Sequence, residues 1–190
     1  MQKIMFNDRY GLTQAVIEGR KTMTRRLIPD EFFGLTWDTR GNTLVYENEY
    51  GDFIDVRLSK YTRYKVGEIV SVAQNYSSFY NILDNTRPIP EGAGWDNKMF
   101  VRADLMPHRI RITGIKCERL QDIQDADCLK EGVRYIPKIN KFYFEDVHRE
   151  EEFYFDNHRE AFAALIDKVS GRGTWASNPW VVVYEFELVK

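Results

Sequence analysis

Nine residues near the start of the chain, EGRKTMTRR at positions 18 to 26, hold one glycine, four cations and two threonines. No other stretch is as dense in polar function. Arg20, Lys21, Arg25 and Arg26 surround Thr22 and Thr24. Such a stretch reads in two ways. Arg20 and Lys21 can follow a helix whose negative end they complement, with Arg25 and Arg26 on a solvated strand beyond it. Alternatively, the hydroxyls and cations face one cleft that takes an anionic ligand. In a regular strand Lys21 and Thr24 point to opposite faces, because side chains alternate with a period of two. They converge only if the chain bends, and Gly19 supplies a hinge just before them.

Two further clusters carry candidate chemistry. In LQDIQDADCLKEG, positions 120 to 132, Glu131 falls at the carboxyl end of a short helix. A carboxylate there opposes the helix dipole by a few tenths of a kcal/mol, up to about 1. A local rule broken without evident gain marks a possible site, although Glu18 breaks the same rule. In GRGTWASNPWVVV, Trp175 and Trp180 read either as core or as stacking platforms beside a basic cleft.

The totals bound the function. The chain has 190 residues, 43% of them hydrophobic and 29% charged, with a formal net charge of -2. This fits one globular domain. A wholly electrostatic nucleic-acid binder is usually basic, so a nucleic-acid role here must rest on a local patch. Two cysteines, Cys117 and Cys128, and three scattered histidines have no metal-ligand spacing, so neither a metal nor a cofactor is expected. The cysteines fit buried thiols in a reducing cytoplasm. No apolar run approaches a membrane span, and MQKIMFNDRYG does not read as a signal peptide.

The elements that must position these residues are many and short. KIMF reads as a strand, and Asn7 or Asp8 as the cap of a helix with Leu12, Ala15 and Val16 on one face. TMTRRLI is extended and stopped by Pro29. Residues 35 to 57 read as an antiparallel meander. VGEIVSVAQ feeds a strand, and residues 77 to 107, with Pro88, Pro90, Gly92 and Gly94, read as a long loop. HRIRITGIK alternates isoleucine with arginine, and Gly114 marks a bulge. Asp122 caps a helix ending at Gly132. Residues 134 to 155, rich in aromatics and acids, read as an insertion. Asp156 or Asn157 caps a helix with Phe162, Leu165, Ile166 and Val169 in its apolar stripe, closed by Gly171. WVVVYEFEL puts Trp180, Val182, Tyr184, Phe186 and Leu188 on one face. Many short strands with a few helices predict an α+β domain, a small, mostly antiparallel barrel with peripheral helices.

EGRKTMTRR, VGEIVSV, IRITGIKCERLQDIQDADCLKEGV and AFAALIDKVSGRGTWASNPWVVVYEFE, taken in order, resemble the ASCH-domain proteins, in particular their longer phage and prophage members. The resemblance covers about half the chain and implies a PUA-like barrel over residues 1–190, with insertions near 31–62, 77–107 and 134–155. It implies a module for RNA or a small nucleoside or nucleotide. Some small ASCH proteins are amidohydrolases that deacetylate acetylcytidine. Their catalytic trio falls on Lys21, Thr24 and Glu131. Arg20, Thr22, Arg25, Arg26, Gln74 and Tyr76 are then candidate substrate-binding residues. A threonine hydroxyl needs a base to take its proton. A partly buried lysine crowded by Arg20, Arg25 and Arg26 has its pKa pushed towards that task, and a carboxylic acid then manages the leaving amine. One departure stands out. Related phage-type proteins carry an arginine and a glutamate where this chain has Ala73 and Gln74, which leaves a binding module or a repurposed phage-derived interaction protein open beside the enzyme.

Overall fold

The computed structural model describes residues 1–28, 34–59, 62–80 and 92–189. In chain order the strands are β1 (Lys3–Ile4), β2 (Met23–Leu27), β3 (Thr36–Asp38), β4 (Thr43–Glu47), β5 (Phe53–Asp55), β6 (Ile69–Val72), β7 (Arg109–Arg119), β8 (Arg134–Ile136), β9 (Lys141–Asp146), β10 (Glu151–Phe155) and β11 (Trp180–Val189). The helices are α1 (Leu12–Ile17), α2 (Asp125–Lys130), α3 (His158–Ser170) and α4 (Thr174–Ser177).

Five strands form the main sheet in the order β1-β6-β7-β11-β2. All neighbours are antiparallel except β1 and β6. The fold is thus α+β, but among the described residues its edge strands β1 and β2 do not pair, and no closed barrel forms. β1 is only two residues long, too short to carry ladders on both edges. Instead the Arg26 Nη2 donates to the Met5 carbonyl at 2.6 Å, joining the two edges by a side chain.

The hydrophobic pattern explains the sheet. In β7, Ile110 and Ile112 are buried while Arg109 and Arg111 are exposed. The β7–β11 register shifts between Glu185 and Phe186, opposite Gly114 and Ile112, which is the bulge expected at Gly114. In β11 the expected face of Val182, Tyr184 and Phe186 is buried, but so are Val181 and Val183. The first half of this strand is therefore covered on both faces. Each such side chain contributes roughly 1.5–3 kcal/mol by burial. α3 adds Phe162, Leu165 and Ile166 to the same core. Its cap is Asn157, whose side chain accepts from the Glu160 amide at 2.8 Å, and Gly171 ends it.

The segment at 35 to 57 is a meander of β3, β4 and β5, fastened to the main sheet where Trp37 stacks on Trp180. Residues 134 to 155 form a second meander, β8-β9-β10. Residues 76 to 105 carry four short 3-10 turns within their described part. Pro29, Pro88 and Pro90, expected to break strands or form loop, lie outside the described residues. Two caps differ from expectation. α1 starts after Gly11, because the Asp8 carboxylate takes the Thr13 hydroxyl instead of capping. α2 starts after Gln124, because Asp122 belongs to a 3-10 turn at Leu120–Asp122.

Candidate functional site

The chain leaves α1 through Gly19 at φ +72, a conformation that suits glycine. The amides of both Arg20 and Lys21 then donate to the Ala15 carbonyl at 2.9 Å, folding the chain back over the helix end. The Thr22 amide docks on the Lys130 carbonyl at the end of α2, at 3.0 Å. This is the bend that Lys21 and Thr24 need to share a face. β2 then pairs with β11, setting Thr24 opposite Tyr184 and Arg26 opposite Val182.

Lys21 is 2% exposed and Glu131 5%. The Lys21 ammonium donates to the Met23 carbonyl at 2.7 Å, the Glu131 carbonyl at 2.8 Å and Glu131 Oε2 at 2.6 Å. The last two bonds explain the carboxylate at the helix end. One buried cation satisfies both the terminal carbonyl and the side chain that the dipole disfavours. Arg25 reaches Glu131 Oε1 through Nη1 at 3.0 Å, grips Glu118 Oε1 through Nε and Nη2 at 2.9 and 2.6 Å, and approaches Asp127 at 3.4 Å. Lys116 and Lys130 close the network on Glu118 and Asp127.

Burial pushes the Lys21 pKa down, while the charge and hydrogen bond of Glu131 oppose the fall. Arg26 and Arg25 add to the lowering as lesser causes. Burial therefore leads, rather than the crowding of cations expected from the sequence. Arg20 takes no part in it, since it turns outward to Glu18 at 2.6 Å. For Arg25, burial works downward, but Glu131 and Glu118 outweigh it and hold the pKa up.

Lys21, Thr24, Arg25, Arg26 and Glu131 line one cavity of about 190 Å³, walled by Phe6, Leu12 and the apolar side of α3. The Thr24 hydroxyl has no hydrogen-bond partner among the described residues, although Thr24 is 5% exposed. All three Lys21 donors are occupied. The polar groups left for a ligand include the Thr24 hydroxyl, the spare lone pairs of the Glu131 carboxylate, which accepts one described bond per oxygen, the free N–H groups of Arg26, and the side chains of Asn7 and Ser170 at the cavity wall. This mixture of donors and acceptors beside apolar walls suits the edge of a planar heterocycle.

The other sequence candidates lie elsewhere. Thr22 is half-buried and held through its backbone. Gln74 Oε1 accepts from His108 Nδ1, 2.8 Å away, and Gln74 lines a different cavity. Tyr76 is 3% exposed, packs on Phe79, and its hydroxyl accepts from the Arg102 amide at 2.8 Å. Trp175 packs on Phe162, and Trp180 is covered by Trp37 and by Arg119, 4.2 Å from its ring centre, so neither offers a free stacking face. Glu118 and Asp127 escaped the sequence reading, since nothing local sets them apart from solvated acids.

A larger cavity, about 960 Å³, lies beside it. The start of α1 separates the two: Leu12 faces the small cavity, and Gly11, Thr13 and Gln14 face the large one. Its wall includes Asp8, Glu145, Glu150, Glu151 and Glu152, so it repels anions. Among the described residues no group of three or more histidine, cysteine or acidic residues is placed to hold a metal ion, and no helix is long and apolar enough to cross a membrane. Compared with protein-family models, curated proteins and solved structures, the chain has no match.

Proposed function

We propose that the small cavity binds the base of a nucleoside or nucleotide, and that the chain is an ASCH-type binding module on a PUA-like framework. The observation that carries this reading is the convergence of Lys21, Thr24, Arg26 and Glu131 on one cavity of about 190 Å³. That is below the roughly 300–1,000 Å³ of pockets for drug-sized ligands, and suits a single planar ring. The filled donors of Lys21 make it a fixture of the cavity floor, and Thr24 and Arg26 are the groups that read the ligand. With a net charge of -2 and a concave site, long RNA binds weakly and in a salt-sensitive manner.

One observation favours amidohydrolase chemistry as a second reading. The unpartnered Thr24 hydroxyl shares the cavity with a lysine whose pKa burial lowers. A proton moved from Lys21 to Glu131 across their 2.6 Å contact converts the ion pair into an amine and a carboxylic acid. The amine turns its freed lone pair from Glu131 to Thr24 and takes the hydroxyl proton as the oxygen attacks an acetyl carbonyl, and the acid protonates the departing amine. The acetyl group passes to Thr24 and then to water.

Ligand-observed NMR with the four ribonucleosides and acetylcytidine, on wild type and Thr24→Val, tests both readings. Wild type is expected to bind at least one nucleoside, and Thr24→Val to weaken it by about tenfold, the worth of one hydrogen bond of roughly 1–1.5 kcal/mol. Absence of binding by all five overturns the base-binding reading. Acetate release from acetylcytidine that Thr24→Val abolishes places the enzyme ahead of the binding module.

A further inference from the structure

Arg26 and Leu27 line two cavities, not one. Beyond them lies a second cavity of about 230 Å³, formed by Met5, Ile28, Arg63, Tyr64, Val182 and Tyr184. It occupies the gap where the main sheet fails to close, between the edge at Met5 and the edge strand β2. Among the described residues its lining holds two arginines and no carboxylate. Neither Arg26 nor Arg63 makes an ion pair with a described residue. Arg25, one position from Arg26, shows the contrast, with three carboxylates around it.

The Glu131 charge in the neighbouring cavity steadies Arg26 from a distance, but among the described residues no carboxylate pairs directly with either arginine, and two cations so placed repel. Desolvation, with a smaller contribution from the Arg63 charge, pushes the Arg26 pKa down. The backbone holds the pair in place. The Arg63 amide donates to the Tyr184 hydroxyl at 3.0 Å, and the Tyr64 hydroxyl donates to the Lys3 carbonyl at 3.0 Å. Glu68, five positions from Arg63, is occupied by Gln2 at 2.9 Å and by the Lys65 amide at 3.0 Å. Arg26 spends one donor on Met5, and the Arg63 guanidinium rests on the Tyr64 ring without a hydrogen bond to a described residue. Guanidinium groups present planar forks that match phosphate oxygens, and both arginines are exposed, so a ligand reaches them from solvent.

We infer that the two cavities form one bipartite site, in which Arg26 and Arg63 take the phosphate of a nucleotide whose base sits over Lys21, Thr24 and Glu131. The inference rests on the base-binding reading and narrows it from nucleosides to phosphorylated ones. The phosphate supplies the direct ion-pair partner that no described residue gives the two arginines, and Arg26, shared by both cavities, touches both parts of the ligand.

The experiment titrates the protein with the four ribonucleosides, their 5′-monophosphates and inorganic phosphate by isothermal calorimetry, in wild type, Arg63→Ala and Arg63→Lys. Arg63 is exposed and free of ion pairs, so these variants keep the fold. The monophosphate of the preferred base is expected to bind about tenfold or more tighter than its nucleoside, as a charge-assisted hydrogen bond allows. Arg63→Ala brings the nucleotide down to the nucleoside level and leaves the nucleoside unchanged, while Arg63→Lys restores part of the gain. Equal affinity of nucleoside and nucleotide overturns the phosphate subsite and leaves the base cavity standing. Inorganic phosphate binding as tightly as any nucleotide, through Arg63, overturns the bipartite site, while the nucleoside titrations judge the base cavity separately. The dinucleotide CpC, run in parallel, separates a nucleotide within a strand from a free one by which binds tighter.

Discussion

Glu131→Gln removes the negative charge that holds two buried cations while keeping the shape of the side chain. Breaking a buried ion pair by deleting one partner costs about 3–5 kcal/mol. The lower end applies here. Lys21 keeps its bonds to the Met23 and Glu131 carbonyls, and Arg25 keeps Glu118. A loss of about 3 kcal/mol lowers Tm by roughly 6–12 °C in a chain of this size, at 2–4 °C per kcal/mol. The loss also depends on pH. Burial holds the folded pKa of Lys21 below its ordinary value of 10.5. Between the two values the unfolded chain binds more protons than the folded one, so stability rises with pH. Without the opposing charge of Glu131 the folded pKa falls further, and this rise begins at lower pH. The deficit of the variant is therefore largest near neutrality and shrinks towards alkaline pH. Calorimetric melts of both proteins at about pH 7 and about pH 9.5 measure it. A Tm loss below about 2 °C at neutral pH, or a loss equal at both values, refutes the argument that Lys21 is charged and held by Glu131.

Gly132→Ala tests the turn that presents Glu131. Gly132 has φ +112, and a Cβ there stands 2.8 Å from Leu12 Cδ2, so the variant is expected to lose about 1–3 kcal/mol from overpacking and strain together, measured by urea unfolding. The thiols make a simpler test. Burial pushes Cys117 up to about 12 and Cys128 up to about 11, so neither reacts with a thiol reagent in the folded protein near neutral pH, and both react once denaturant unfolds it.

Much of the framework was legible because it depends on local periodicity. The period-two pattern of the last strand, the arginine-isoleucine alternation of β7, the Asn157 cap and the meander at 35 to 57 follow from neighbours in sequence. The meander at 134 to 155 was hidden because both of its faces carry aromatics: Tyr143 stacks on Tyr154 and Phe144 on Phe153, which blurs the alternation. In the site, the bend after Gly19 and the oddly charged helix end pointed to Lys21 and Glu131, and the two lie 2.6 Å apart. Arg25 shows the opposite case. The sequence offered it to a ligand, but Glu118, Asp127 and Glu131 take its donors, and no local rule reports partners 93, 102 and 106 positions away. Gln74 and Tyr76 sit at the end of a strand that points towards the second small core of Ala73, Val101 and Met106, not towards the basic stretch.

The order of strands in the main sheet also bears on how the chain folds. Among the described residues β2, which carries Thr24, Arg25 and Arg26, pairs in the sheet only with β11, with Leu27 opposite Val181 and Met23 opposite Glu185. That pairing joins an early segment to one of the last, so closing the intervening loop costs entropy before any ladder bond returns it. β1, β6 and β7 can assemble among themselves beforehand. β2 has no sheet partner until β11 has docked between it and β7. The pocket residues on β2 therefore take their places only once two segments far apart in sequence have met, a pairing of high contact order that is slow compared with helix formation.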